Sequence, residues 1–205
     1  MVDTISSVRG RPRRFDVEQA LDVGQRLFHM HGYDGVGLAA LTEALAIKPP
    51  SFYAAFGSKA DFFKRVLDRY AASVLALEDI LRPDRAPQEA LADLLEGAAR
   101  TYARDPHVRG CLVLEAARGG ADVESVKLAR QAAERRRDQV RVFVAKFYPE
   151  VAESVTDFVA STMSGLSASA REGLSEARLV GIAQTAIGGL RLLLQRSQES
   201  SAAAP

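Results

Sequence analysis

The 205-residue chain has a single cysteine, Cys111, so no disulfide can form within one chain. One free thiol is typical of proteins that stay in the reducing interior of the cell. No secretory leader is visible, because the arginines of residues 9–14 are followed by Phe15-Asp16 rather than by an apolar run. We therefore expect a cytoplasmic protein that folds as one large domain or two small ones.

Motifs of catalysis and metal binding are also missing. There is no glycine-rich phosphate loop, no HExxH and no GxSxG pattern. His107 and Cys111, four residues apart, would suit a thiol–base pair or half of a metal site, but nothing nearby completes either. His29 and His31 are two residues apart and would point in different directions from a helix. The sequence predicts no enzyme, no metal site and no cofactor.

The longest uncharged runs near the C-terminus are residues 158–170 and 179–190. Both are shorter than the roughly 20 residues that cross a bilayer, so no membrane partner is expected. Their helices would be apolar all round and need cover on two sides, namely the chain's own core and the same surface of a second subunit. A buried hairpin in a monomer is the alternative. The expected dimer interface comprises Ser161, Gly165, Ala168, Ala186, Gly189 and Leu193.

Net charge is close to zero, and the first 70 residues carry ten Lys or Arg against eight Asp or Glu. Clustering is more informative, because four arginines lie within residues 9–14 beside Gly10 and Pro12, which discourage a helix. Such a flexible basic arm, over residues 1–14, can follow phosphates or enter a minor groove. A merely solvated terminus is the alternative. The arm's expected DNA contacts are Arg11, Arg13 and Arg14.

Three short helices are predicted between residues 16 and 57. Asp16 is a good N-cap for the first, which should run to His31. Apolar residues at three- and four-residue spacing from Leu38 to Leu45 predict the second. Pro49-Pro50 fits only the opening turn of the third, and Gly57-Ser58 suits its end and the N-cap of a fourth helix.

The region from about residue 9 to residue 75 resembles the DNA-binding domain of the TetR family of bacterial transcriptional regulators. The matching residues are Gly10-Arg11-Pro12-Arg13, Leu27-Phe28, Gly32-Tyr33, Leu41-Thr42, Ile47, Ser51-Phe52-Tyr53 and Phe56-Gly57-Ser58-Lys59. Two positions depart from the family pattern. Gly37 stands where a Ser or Thr cap is usual, and Ala46 replaces the usual glycine of the turn.

The resemblance implies an all-α protein with an N-terminal three-helix helix-turn-helix domain and a C-terminal helical domain for ligand binding and dimerisation. The expected division is an arm (1–14), the helix-turn-helix domain (15–57), a connecting helix (58–80), the C-terminal domain (81–196) and a disordered tail (197–205). Within the C-terminal domain we predict helices near 88–104, 108–118, 122–147, 150–171 and 175–196.

DNA contacts follow partly from family positions. Tyr53 and Lys59 match residues that meet phosphate in the family, and Lys59 also lies at a helix N-terminus. Lys48 and Ser51 could reach base edges or phosphate, and Pro50 could touch a thymine methyl. Thr42 is expected to reach a phosphate from the supporting helix. Phe52 and Phe56 are interpreted as core residues.

The expected function is a ligand-released repressor that binds a palindromic operator as a homodimer. Its small-molecule effector is unknown, and the candidate pocket residues are Leu94, Tyr102, Leu112, Phe143, Phe147, Phe158, Thr162 and Met163. Residues 135–137, three arginines, are interpreted as a solvated helix face, with an acidic ligand or further DNA contact as alternatives. Two other functions stay open: thiol-based redox sensing through Cys111, which thiol labelling would test, and a helical interaction protein without DNA.

Overall fold

The computed structural model describes residues 16–119 and 123–202, the side chains of residues 198 and 200–202 excepted. The arginine arm lies outside the described residues. Within them no strand occurs, and the chain forms an all-α fold, as predicted. Its helices are α1 (Val17–His31), α2 (Leu38–Ala44), α3 (Pro49–Phe56), α4 (Lys59–Ser73), α5 (Leu77–Ile80), α6 (Pro87–Ala103), α7 (Leu112–Ala116), α8 (Glu124–Ala145), α9 (Ala152–Arg171) and α10 (Glu176–Ala202).

Local signals set the N-terminal helix ends as the sequence predicts. The Asp16 carboxylate accepts hydrogen bonds from the backbone N–H groups of Glu18 and Gln19, at 2.9 and 3.3 Å, and so caps α1. At α4, Ser58 and Asp61 form a reciprocal capping box. Gly57, between α3 and α4, has a φ of 81°, a conformation that favours glycine.

Aromatic rings fill the core of the N-terminal region (α1 to α4), here called the head. Phe28, Phe52 and Phe62 are each at most 1% exposed, and the rings of Phe56 and Phe62 have centres 4.5 Å apart. Helix α1 approaches this cluster at Gly24, where an added Cβ would lie 2.5 Å from the Phe62 ring. A side chain at that position would therefore displace the ring.

The connecting helix is shorter than expected, because α4 ends at Ser73 rather than at residue 80. Val74 ends the helix because its backbone is extended (ψ 115°), Leu75 follows with a φ of 53°, and the short α5 begins at Leu77. The guanidinium of Arg136, on α8, donates to the carbonyl oxygens of Ala71 and Leu75. These carbonyls at the end of α4 thus have a partner from a distant part of the chain.

Helix α6 is the centre of the C-terminal region and packs against α9 and α10. The predicted helix at 108–118 shortens to α7, because the preceding turn is held by a bond from Arg109 to the Leu174 carbonyl at 3.0 Å. His107 and Cys111 are therefore not on adjacent turns of one helix: His107 is exposed, and Cys111 is buried. The expected disordered tail is also corrected, since α10 continues to Ala202 and Ser197 bonds to the Glu150 carboxylate.

The C-terminal helix is long and apolar enough, by length and composition, to cross a bilayer over residues 176–197. The uncharged run 179–190 is by itself too short to cross a bilayer. The longer stretch includes the flanking turns that contain Arg178 and Arg191. One side of α10 packs against α6 and α9 and buries Leu179, Leu190 and Leu194. A core helix of a folded domain passes the same length and composition test.

Candidate nucleic-acid interface and interior cavity

Helix α3 divides its residues between an inner and an outer side. Phe52 and Phe56 are buried in the head, which confirms their interpretation as core residues. Lys48, Pro50 and Ser51 are exposed, and half of the Tyr53 surface is accessible (51%). A helix with this division presents its first turn and one face to a groove while the aromatic residues hold it to the protein.

The turn between α2 and α3 is made without its usual glycine. Ala46 has a φ of 52°, in the left-handed region, and the N–H of Ile47 donates to the Thr42 carbonyl at 3.0 Å. Alanine therefore adopts the conformation that glycine takes at lower cost. The expected phosphate contact of Thr42 is corrected, because this side chain is only 7% exposed and its hydroxyl donates to the Ala39 carbonyl.

Lys59 extends from the first turn of α4. Its Nζ lies 3.9 Å from the centre of the Tyr33 ring, which positions the ammonium by a cation–π contact. Burial lowers the pKa of Lys59, and the charge of Asp34 opposes this shift. The carboxylate of Asp61 already accepts from the Ser58 N–H, at 3.0 Å, so a phosphate here would rely mainly on the lysine side chain. Tyr33, which matched the family pattern, thus holds the Lys59 ammonium in place. Its position in the sequence did not reveal this contact.

Polar contacts join the head to the rest of the molecule. Arg171, on α9, donates to the His29 carbonyl at 3.1 Å. Arg135, on α8, bonds to Asp68 of α4 at 2.6 Å, and the Arg136 contacts lie beside it. Arg137 pairs with Glu153 and Asp157 of α9. The three consecutive arginines are therefore not a simply solvated face, because each holds a different neighbouring group.

A cavity of about 350 Å³ lies between the end of α4 and helices α6 to α9. Leu94, Tyr102 and Met163, of the candidate pocket residues, line it. The other five do not. Leu112 and Phe143 are buried elsewhere, Phe147 and Phe158 are among the exposed apolar side chains, and the Thr162 hydroxyl donates to the Phe158 carbonyl.

Tyr70, Cys111 and Arg136, which carry polar groups, also line the cavity, although none of them was among the candidate pocket residues. Cys111 had been considered for redox sensing and Arg136 for a solvated helix face or an acidic ligand, whereas Tyr70 lies in the apolar stripe of α4 and was not considered for its hydroxyl group. Burial raises the pKa of Tyr70 and of Tyr102, and the neighbouring Cys111 raises both further. The two phenols therefore stay protonated, and both hydroxyl groups hydrogen-bond to the Cys111 side chain at the cavity wall.

Helices α9 and α10 leave an apolar face in solvent. Phe158 and Ile182 are 36% and 43% exposed, and Leu192 is 59% exposed. Among the expected interface residues, Ser161, Gly165 and Gly189 are exposed beside them, whereas Ala168, Ala186 and Leu193 are half-buried. Ala186 and Leu193 pack against the chain's own core, at the border of this face.

Comparison with known proteins agrees with this geometry. The family described as bacterial regulatory proteins, tetR family, matches residues 20–66. The chain is 44% identical to the HTH-type transcriptional repressor BdcR of Escherichia coli K12 over 163 residues, 79% of this chain and 82% of that protein. It is 35% identical to the repressor ComR of the same organism over 112 residues, 54% of this chain and 53% of ComR.

A solved structure of the TetR family transcriptional regulator CifR, as a cysteine mutant with 26-base-pair operator DNA, is also similar. Its identity to this chain is 33%, its TM-score is 0.74, and the match covers 86% of this chain and 98% of CifR. A TetR regulator from Rhodococcus is 31% identical with a TM-score of 0.56, over 84% of this chain and 98% of that one.

Proposed function

Because the chain belongs to the TetR family of bacterial DNA-binding transcriptional regulators, we propose that it is a ligand-released repressor that binds a palindromic operator as a homodimer. Regulation of transcription through a helix-turn-helix is the function of this family, so the chain is a DNA-binding regulator and not an enzyme. The alternative of an interaction protein without DNA is thereby excluded. The observation that carries the proposal is the outer side of α3, which exposes Lys48, Ser51 and Tyr53.

The exposed face of α9 and α10 supports a homodimer. Apolar side chains and glycines lie together there, and an isologous contact would cover both copies at once. Each subunit would then present one α3, so that operator half-sites lie about one helical turn (~34 Å) or a multiple apart. We propose that the protein acts as this homodimer in the cytoplasm. Its proposed domains are the arm, the helix-turn-helix domain, the connecting helix and the C-terminal domain given above, with the connecting helix ending at Ser73.

Gly189→Asp tests the dimer. The substitution places a charge in the apolar face beside Phe158, and burying it unpaired would weaken self-association on the order of 100-fold or more. Sedimentation velocity over a range of concentrations measures this. Gln184→Asp is the control, because it adds the same charge to α10 at an exposed position outside the expected interface. A Gly189→Asp protein that still sediments as a dimer would place the interface elsewhere.

Lys59→Ala tests the DNA-binding surface. We expect weaker binding by a similar factor on all DNA sequences, and a salt dependence whose slope falls by about 1, because a phosphate contact carries no sequence information. Changes at Lys48 or Ser51 should instead alter the preferred sequence, which selection of bound genomic fragments would reveal. Equal effects of all three changes on all sequences would contradict a base-reading role for Lys48 and Ser51.

The effector is proposed to bind in the interior cavity. Tyr70 and Leu75 line the cavity at the end of α4, and the other end of α4 packs into the head. A ligand there could move α4 and so change the separation of the two reading helices. To lower operator occupancy from 99 to 1 per cent, the effector must prefer the released state by roughly 5.5 kcal/mol.

Thiol sensing through Cys111 is a second candidate function, limited to small reagents that can enter the cavity. The thiol is 8% exposed and lines the cavity, so a disulfide between two subunits would require the fold to open. A small oxidant or electrophile that enters the cavity could still reach it. Labelling of Cys111 in the folded protein separates this second candidate from reversible ligand binding.

A further inference from the structure

Arg136 occupies an unusual position among the three arginines of α8. Its two neighbours hold carboxylates, Asp68 for Arg135 and both Glu153 and Asp157 for Arg137. Arg136 has no acidic partner among the residues that the structure describes, although it is half-buried and lines the cavity. Its described hydrogen bonds go to two neutral carbonyl oxygens, so its positive charge is not neutralised by a protein anion.

The phenols of Tyr70 and Tyr102 share this end of the cavity. Both side chains are at least 95% buried, and the charge of Arg136 acts on each of them, lowering a pKa that burial raises more strongly. A guanidinium has five N–H groups, of which two are used here, whereas the hydroxyl groups of both phenols already hydrogen-bond to the side chain of Cys111. Arg136 therefore offers free N–H groups, and each phenol offers an O–H that can turn from the weakly accepting sulfur of Cys111 to a stronger acceptor in the same space.

Among the charged groups of the lining, Arg136 is the cation without a described acidic partner, because Arg118 pairs with Glu115 and Arg137 pairs with Glu153 and Asp157. Arg118, Arg136 and Arg137 line the cavity together with one acid, Glu134. Most of the remaining wall is apolar, including Leu94, Val113, Leu114, Val140, Val159 and Met163. The complement of such a cavity is a ligand with an apolar body and one negatively charged group that accepts several hydrogen bonds.

We propose, on the basis of the effector site assigned above, that the effector is a small apolar carboxylic acid in its ionised form. Its carboxylate binds Arg136 and the hydroxyl groups of Tyr70 and Tyr102, and its apolar body lies toward Val113 and Met163.

Binding at Arg136 also provides a route to DNA release. The same guanidinium holds the carbonyls of Ala71 and Leu75 at the end of α4. A carboxylate carries a full negative charge and can accept two parallel N–H bonds from a guanidinium, which a neutral carbonyl cannot, so it competes effectively for the N–H groups of Arg136. When these N–H groups turn to the ligand, the C-terminal end of α4 loses the two bonds from Arg136, and the Arg135–Asp68 bond remains as the described polar link between α4 and α8, so the head can shift.

The experiment uses the full-length protein without DNA and isothermal titration calorimetry. The probes are octanoate, decanoate and 4-phenylbutyrate, each compared with the amide of the same skeleton, which has the same shape but no charge. We expect at least one acid to bind, with its amide roughly tenfold or more weaker. Arg136→Met should weaken acid binding by roughly 10- to 100-fold, and Tyr102→Phe by about tenfold.

Arg141→Met is the matched control. Arg141 lies on the same helix, pairs with Asp138 and does not line the cavity, so this variant should bind the acids as the unchanged protein does. Thermal denaturation checks that each variant folds, and Tyr102→Phe decides the question alone if Arg136→Met does not fold. The proposal is overturned if no acid binds, if amides bind as well as acids, or if Arg136→Met and Tyr102→Phe bind like Arg141→Met.

Operator binding is measured separately by fluorescence anisotropy with and without the best acid. Release of the DNA by the acid, lost in Arg136→Met, supports the route through α4, and an acid that binds without releasing DNA overturns that route. Absence of operator binding by the ligand-free protein would instead refute the proposed function, whatever calorimetry shows. The two failures are therefore distinguishable.

Discussion

The head and the C-terminal region use apolar residues in opposite ways. Five of the nine phenylalanines are buried in the head, where rings such as Phe28, Phe52 and Phe62 fill the interior and the outer side of α3 is left for DNA. In the C-terminal region an interior cavity of about 350 Å³ coexists with Phe158, Ile182 and Leu192 in solvent. A filled interior resists deformation, whereas a cavity leaves helices free to shift. The difference separates a head whose core is filled by aromatic rings from a region that has a cavity and an exposed apolar face.

Phe62→Ala is the largest expected disruption of the head. The ring is fully buried and contacts Phe28, Phe52 and Phe56, so its loss should cost about 3–5 kcal/mol of the free energy of unfolding. Chemical denaturation measures the change. Phe147→Ala is the control from the C-terminal region, because Phe147 is 43% exposed, and it should cost much less. Similar losses for both variants would mean that the two regions are packed alike.

Two glycine-to-alanine changes compare the close packing of the head with the open surface of the C-terminal region, with smaller expected effects. Gly24→Ala brings a methyl group within 2.5 Å of the Phe62 ring and should destabilise the protein by about 1–3 kcal/mol. Gly181→Ala, on α10, meets no described atom within 4 Å and should stabilise by roughly 0.5–1 kcal/mol through helix propensity. The midpoint of thermal denaturation should therefore fall for Gly24→Ala and rise for Gly181→Ala. A stabilising Gly24→Ala would show that the ring has room to retreat.

Ala46→Gly should have the smallest effect. Glycine relieves the left-handed strain at the turn of the helix-turn-helix, although it also gains freedom in the unfolded chain, so we expect stabilisation of less than about 1 kcal/mol. Denaturant titration would detect this as a rise of the midpoint at an unchanged slope. A fall in stability would indicate that Ala46 is not strained in solution.

Features that depend on short-range interactions agree with their predictions, and features that depend on long-range interactions do not. Helices α1, α3 and α4 begin where predicted because their start signals are local: Asp16 and Ser58 accept from amides within three residues of themselves, and Pro49, which lacks an N–H, fits only the first turn of a helix. The predicted end of α4 and the predicted length of α7 were wrong. The first depends on Arg136 and the second on Arg109, and the partners of both arginines lie more than 60 residues away in the sequence. No local pattern contains that information.

The candidate site shows the same division. Periodicity identified the exposed side of α3, since Phe52 and Phe56 had to face inward and left Ser51 and Tyr53 outside. It could not show that Thr42 is buried, because a short helix does not reveal how closely its neighbours cover it. For the cavity, apolar character selected Leu94, Tyr102 and Met163 together with five residues that face elsewhere.

The sequence by itself determined the helical class, the three short N-terminal helices and the uncharged surface near the C-terminus. Each of these follows from caps, prolines and apolar spacing, which act over one or two helical turns. Only the tertiary structure decided that Arg136 faces a cavity and holds the end of α4. A guanidinium on a helix has no assigned role until other helices pack around it and decide which carbonyls, rings and charges it meets.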